Sequence, residues 1–155
     1  MSDMWKDIAV SFKLKSPLHI GYMPFRGSVI SPTRYYVPGR NLWGAITKRI
    51  TEHLYENPVD NNYKDIGATV KDNFRFSYLY VYDGINIYFP LYTEQGLKYG
   101  NISRSEFEHR FIGSQISTAI DSTGTAKNAS LHEIEFINNK FKDTNGNIKD
   151  VRIIG

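Results

Sequence analysis

The sequence predicts an α+β fold built on an antiparallel sheet, and three observations carry that prediction. Phe74, Phe76, Tyr78, Tyr80 and Tyr82 alternate with Arg75, Ser77, Leu79 and Val81, and after Asp83-Gly84 the alternation resumes at Ile85, Ile87, Phe89 and Leu91. This is the period-2 signature of a β-hairpin closed by a two-residue type I′ turn. Ahead of it, Leu42, Ile46, Ile50 and Leu54 recur at four-residue spacing, the stripe of one helix face. The whole chain then reads as strand, helix, hairpin, short helix, hairpin, an order that suits an antiparallel sheet with helices rather than a parallel one.

Taken in order, the elements have local reasons. Between Trp5 and Leu14, the residues Ile8, Val10, Phe12 and Leu14 share one face of a strand, which Ser16-Pro17 ends because proline cannot continue a ladder. From Gly21 to Gly39 the chain has three prolines, three glycines and no helical period, so a long functional loop is expected. Asn41 is the expected N-cap of the first helix, Trp43, Ala45 and His53 widen its apolar stripe, and Asn57-Pro58 stops it. Val59 to Asp72 is polar and reads as a loop. After the central hairpin, Ser103 with Glu106 three residues on forms a capping box for a short helix to Phe111. Gly113 to Ser130 is rich in Ser, Thr, Gly and Ala and reads as an extended loop. Leu131–Lys142 and Ile148–Ile154 form a last hairpin around Asp143–Asn147.

Composition bounds the function. The 155 residues are 41% hydrophobic and 23% charged, ordinary for a globular domain, and no apolar run approaches the roughly 18 residues of a membrane helix. Without cysteine, disulfides, thiolate zinc sites and cysteine nucleophiles are excluded, and a cytoplasmic protein with no membrane partner is expected. The net charge of +3 hides an asymmetry. No Asp or Glu occurs between Ile8 and Thr51, a stretch that holds Lys13, Lys15, Arg26, Arg34, Arg40, Lys48 and Arg49. All 16 acidic residues lie outside it. A basic third beside an acidic remainder, with aromatics among the charges, points to a polyanion partner.

Candidate chemistry is sparse. His19, His53, His109 and His132 show no metal-ligand spacing, so neither a metal nor another cofactor is expected. His53 falls on the helix's apolar side, whereas His19 lies beside the basic loop and is the one weak catalytic candidate, for acid-base work. Pro38-Gly39-Arg40-Asn41 opens a helix whose free N–H groups favour an anion, with Arg40 adding charge; a plain turn and cap has the same sequence. The tyrosine stripe has two readings, a core face packed on the helix or a half-exposed sheet on which bases stack.

The segments SPLHIG (Ser16 to Gly21) and YYVPGRNLWGAITKRI (Tyr35 to Ile50), with STAIDSTGTAKNASLHEIEFI (Ser117 to Ile137) further along, resemble the RAMP superfamily of CRISPR-associated proteins. In that family a first strand and glycine lead through a variable loop to a Pro-Gly motif opening the first helix. The third segment is similar to the Ile-Asp, Thr-Gly-x-Ala stretch of type III effector backbone subunits. The resemblance implies one ferredoxin-like, RRM-related domain over residues 1–155, with helices on one sheet face and long inserted loops. It implies a cytoplasmic ribonucleoprotein complex of antiviral defence, with guide RNA, target RNA and other effector subunits as partners. Arg26, Arg34, Gly39, Arg40, Asn41, Lys48 and Arg49 are the expected RNA contacts. The segment 113–130 would be a thumb-like projection presenting Ile120, Asp121, Thr125 and Lys127. Catalytic subunits of the family carry an aspartate between the first strand and the Pro-Gly helix, whereas Tyr22 to Tyr36 contains no Asp or Glu. A non-catalytic role is therefore expected. The rival readings are a RAMP endoribonuclease processing precursor RNA through His19, and a protein-protein adaptor whose basic face meets an acidic neighbour.

Overall fold

The computed structural model describes residues 5–26, 28–120, 122–125 and 131–155. It is α+β. The elements are β1 (Ser11–Lys13), β2 (Ile30–Ser31), β3 (Tyr36–Val37), α1 (Gly39–Leu54), α2 (Asp60–Asn73), β4 (Leu79–Tyr82), β5 (Ile87–Tyr88), β6 (Pro90–Thr93), β7 (Gly96–Tyr99), β8 (Ile102–Ser103), α3 (Arg104–Phe111), β9 (Ile112–Ser117), β10 (His132–Ile137), β11 (Lys140–Lys142), β12 (Ile148–Asp150) and β13 (Arg152–Ile154). The chain divides into two compact units. One comprises Met1–Tyr36 and Tyr80–Ile154, the other Val37–Leu79 with Gly155.

The first unit is organised around α3. Ser103 accepts the Glu106 N–H at 3.2 Å, as the capping box predicts, and sends Phe107 and Phe111 inward one turn apart. Both rings are fully buried. Phe107 stacks on Tyr99 with ring centroids 4.4 Å apart, and Phe111 meets Tyr88 at 4.8 Å and Phe141 at 5.2 Å. Each such ring contributes roughly 1.5–3 kcal/mol of burial. Tyr88, Val81 and Ile153 add the sheet's side of this core. That sheet runs β1-β13-β4-β5, antiparallel throughout, with β1 at its edge: Lys13 pairs Arg152, Arg152 pairs Tyr82, and Tyr82 pairs Ile87. A second sheet, β2-β10-β9, joins a parallel pair to an antiparallel one, a third runs β6-β7-β8, and β11 pairs with β12.

The central hairpin is shorter than expected, and its tyrosine stripe is half-exposed rather than a core face. Val81 pairs with Tyr88 and Tyr82 with Ile87, so the loop is Asp83 to Asn86 rather than two residues. Asp83 closes it by accepting the N–H groups of Ile85 and Asn86 at 2.8 and 2.7 Å. Leu79 and Val81 are buried, whereas the aromatic set is not: Phe74 and Tyr78 are about half exposed, and Tyr80 and Tyr82 are half-buried. On the return strand Tyr88 is buried and Ile85, Ile87, Phe89 and Leu91 are exposed. Leu79 and Val81 bring no polar group into the aromatic core, and Tyr88 enters it with its hydroxyl donated to Asp83 Oδ2 at 2.6 Å. Phe74 to Tyr78 form no strand because the preceding segment is helical up to Asn73.

That helix, α2, overturns the loop expected over Val59–Asp72. Asn62 accepts the Val59 N–H at 2.9 Å at its start, and Gly67 and Val70 are its buried positions. It packs on α1: the Trp43 indole donates to Gly67 O at 2.9 Å, and a Cβ at Gly67 would stand 3.0 Å from the Trp43 ring. Glycine is there for close approach. The α1 stripe is displaced accordingly. Gly39, Thr47 and Thr51 are its buried positions, while Leu42, Ile46 and Ile50 are half-buried and Leu54 is exposed. Pro38, not Asn41, is the N-cap, and the Asn41 N–H donates to Pro38 O at 2.9 Å.

Further differences lie towards the two ends of the chain. Of the strand expected from Trp5 to Leu14 only Ser11–Lys13 pairs, and Ile8 is exposed. The loop expected from Gly113 to Ser130 begins as strand β9, six residues paired with β10. The β11–β12 hairpin around Asp143–Asn147 is as expected, but Ile148 to Ile154 is split, β12 staying with β11 and β13 joining β1 and β4.

Candidate nucleic-acid interface

In the second unit the first turn of α1 borders a groove of about 450 Å³. Gly39 permits it, because a Cβ there would lie 2.5 Å from Phe76 O. The helix start thus lies close against the backbone at Phe76 and Ser77. No acidic residue occupies the first turn and no side chain caps it, so orphan N–H groups make this a positive helix end, while Asp72 of α2 lines the same groove. Arg40 is exposed at this end. Lys71 and Arg75 reach the same groove from the end of α2, where the Arg75 guanidinium donates to Lys71 O and Phe74 O. Aromatic surfaces line the groove with these cations. Phe74 and Phe76 stack on each other, centroids 5.9 Å apart and planes within 11°, and Trp43 lines the groove 38% exposed.

The other expected RNA contacts are spread over both units. Asn41, Lys48 and Arg49 are exposed on α1, and Lys48 forms an ion pair with Glu52 at 3.7 Å. Arg26 is exposed in the first unit. Arg34 belongs to that unit as well, where its guanidinium lies 5.2 Å over the Tyr22 ring. Ile120 and Thr125 are exposed; Asp121 and Lys127 lie outside the described residues. His19 donates from Nδ1 to Glu135 O at 2.6 Å, since a carbonyl can only accept. Its Nε2 lies so close to Gly21 that a Cβ there would collide with the ring.

Arg34 opens onto a second, larger cleft of about 760 Å³, wholly within the first unit. Its walls are the segment before β3, the β6–β7 hairpin, α3 and the start of β9. Strand β10 contributes Glu133 and Glu135, two residues apart and so on one face. The Glu135 carboxylate accepts the Thr33 N–H at 3.3 Å. At the α3 wall, Glu108 accepts from both the Tyr35 hydroxyl and Arg104 Nε at 2.7 Å. Burial pushes the Tyr35 phenol up and the Glu108 carboxylate pushes it further, so the hydroxyl stays a donor. Burial also acts to raise Glu108, but its bonds from Arg104 and Tyr35 outweigh that and hold the carboxyl below its ordinary value.

Sequence reasoning reached Gly39, Arg40 and Arg34 but missed Lys71, Arg75, Glu108, Glu133 and Glu135. Arg104 and Glu108 carried a readable signal, opposite charges four residues apart on a helix. The others carried none, because their roles depend on segments distant in sequence. Among the described residues, no three His, Asp or Glu side chains are placed to share a metal ion, and no helix is long and apolar enough to cross a membrane. Comparison with protein-family models, with curated proteins and with solved structures gives no match to this chain.

Proposed function

We propose that the chain binds guide RNA as a non-catalytic subunit of a type III-like CRISPR effector complex, on a ferredoxin-like core. The observation that carries this reading is the groove at the start of α1. Exposed rings of Trp43 and Phe74 line it together with Arg40, Lys71, Arg75 and Asp72, at the Pro-Gly motif that carries part of the family resemblance. Aromatic faces that stack bases, flanked by cations that meet phosphates, are what sequence-tolerant single-strand binding requires. The chain order β1, α1, β4–β5, α3, β13 is the β-α-β-β-α-β series of such a core with additions, although β1 lies at the sheet edge, where a ferredoxin-like sheet has its first strand inside. Half-buried Tyr80 and Tyr82, with Arg152 opposite Tyr82 in the sheet register, support an RRM-related face.

The test is fluorescence anisotropy of a labelled single-stranded RNA against the full chain across a salt series. Each phosphate contact on a single strand steepens the log–log salt dependence by about 0.7. The double variant Arg40→Ala/Lys71→Ala should flatten the slope by about 1.4 and weaken binding at low salt. A variant with unchanged circular dichroism and unchanged slope would remove the groove as the RNA site.

A further inference from the structure

The cleft of the first unit shares no lining residue with the α1 groove, and its chemistry is different. Its polar groups fall into a set bonded to one another and a set that forms no ion pair among the described residues. Arg104, Glu108 and Tyr35 satisfy one another, which fixes the α3 wall. Across from them Glu133 makes no ion pair or side-chain hydrogen bond among the described residues, and Glu135 uses one carboxylate oxygen only. Arg34 has no carboxylate partner among the described residues; its guanidinium rests on the Tyr22 ring. Tyr22, 43% exposed, carries the Arg34 guanidinium over its ring, and Tyr92, 89% exposed, offers its ring to an entering ligand.

A flat ligand with adjacent N–H donors for a carboxylate and acceptors for a guanidinium matches these lining groups. We infer that the cleft holds a guanine base carrying a phosphate, with Glu133 and Glu135 receiving its N1–H and N2–H groups and Arg34 meeting its acceptor edge or phosphate. Guanine alone among the common bases sets two such donors side by side, and its O6/N7 edge is the usual partner of arginine. Adenine would turn the N1 lone pair toward a carboxylate. An arginine-bearing peptide would suit the glutamates, but its side chain offers Arg34 no acceptor. The volume lies within the range of small-ligand sites, and the Tyr92 ring supplies the stacking.

Calorimetric titration of the full chain with GMP, IMP and AMP tests this, alongside a uridine hexamer with and without one guanosine. GMP should bind at least tenfold tighter than AMP, with IMP between them because it lacks the N2 amine. Glu133→Gln should weaken GMP at least tenfold while leaving AMP unchanged. The strand arm identifies the source: a hexamer tighter than GMP means a base delivered by RNA, the reverse a free nucleotide. Equal binding of GMP and AMP, no heat with either, or binding of an arginine-rich peptide in place of GMP would overturn the proposal. The GMP to AMP ratio of the unmodified chain decides the matter even if the variant fails to fold.

Discussion

At the scale of single residues, glycine and aspartate do the shaping. Gly39 and Gly67 sit where any Cβ would meet backbone carbonyls or the Trp43 ring, so both are small for packing rather than for turn geometry. Gly39 was legible as part of a Pro-Gly motif; Gly67 was not, because in a polar stretch a glycine argues for a loop. Asp143 builds the β11–β12 turn: its carboxylate accepts the N–H groups of Asn145 and Asn147 at 2.9 and 2.8 Å and pairs with Lys149 at 3.0 Å. The Asn147 backbone bond leads, with Lys149 assisting, in pulling its carboxyl down to about 2. A folded pKa below the unfolded value means stability that is present above the unfolded pKa and lost as pH falls through the folded one. The difference in urea midpoint between the native chain and Asp143→Asn should therefore be constant above about pH 5 and shrink between about pH 4 and 2. A difference independent of pH over that window would show that the carboxylate does not hold the turn.

At the scale of elements, α3 was readable and α2 was not. The short helix announces itself through Ser103 and Glu106, and the two phenylalanines four apart mark its buried face. Ser103→Ala should cost about 1 kcal/mol of stability by chemical denaturation, because α3 holds the centre of the aromatic core. An unchanged midpoint would mean that the cap is dispensable. Helix α2 buries only Gly67 and Val70, too thin a stripe for periodicity to register against Asp, Asn and Lys. A loop in its place also misassigns the residues just beyond it. Phe74 and Phe76 carry strand periodicity, yet Phe74 caps α2 and the Arg75 guanidinium turns back onto Lys71 O. The alternation holds for β4, but pattern alone cannot say which face is buried: Leu79 and Val81 took the core and the tyrosines took the water.

At the scale of the molecule, the charge asymmetry was legible and its placement was not. The acid-free stretch spans both units, with Arg26 and Arg34 in one and Arg40, Lys48 and Arg49 in the other. Arg34 shares its cleft with Glu133 and Glu135, about a hundred residues downstream, brought there by the parallel pairing of β2 with β10. Such non-local pairing leaves no mark in a local sequence window. Arg40, by contrast, is joined by Lys71 and Arg75, basic residues from the acidic remainder of the chain. The RNA reading therefore rests on an α1–α2 groove that mixes an expected cation with two unexpected ones and with rings whose spacing suggests a strand. Ultraviolet cross-linking of the full chain to single-stranded RNA, with the attachment sites mapped by mass spectrometry, tests it most directly. The account predicts cross-links on the peptides that carry Trp43 and Phe74–Phe76. RNA that attaches only elsewhere in the chain, or that is not retained at all, would contradict it.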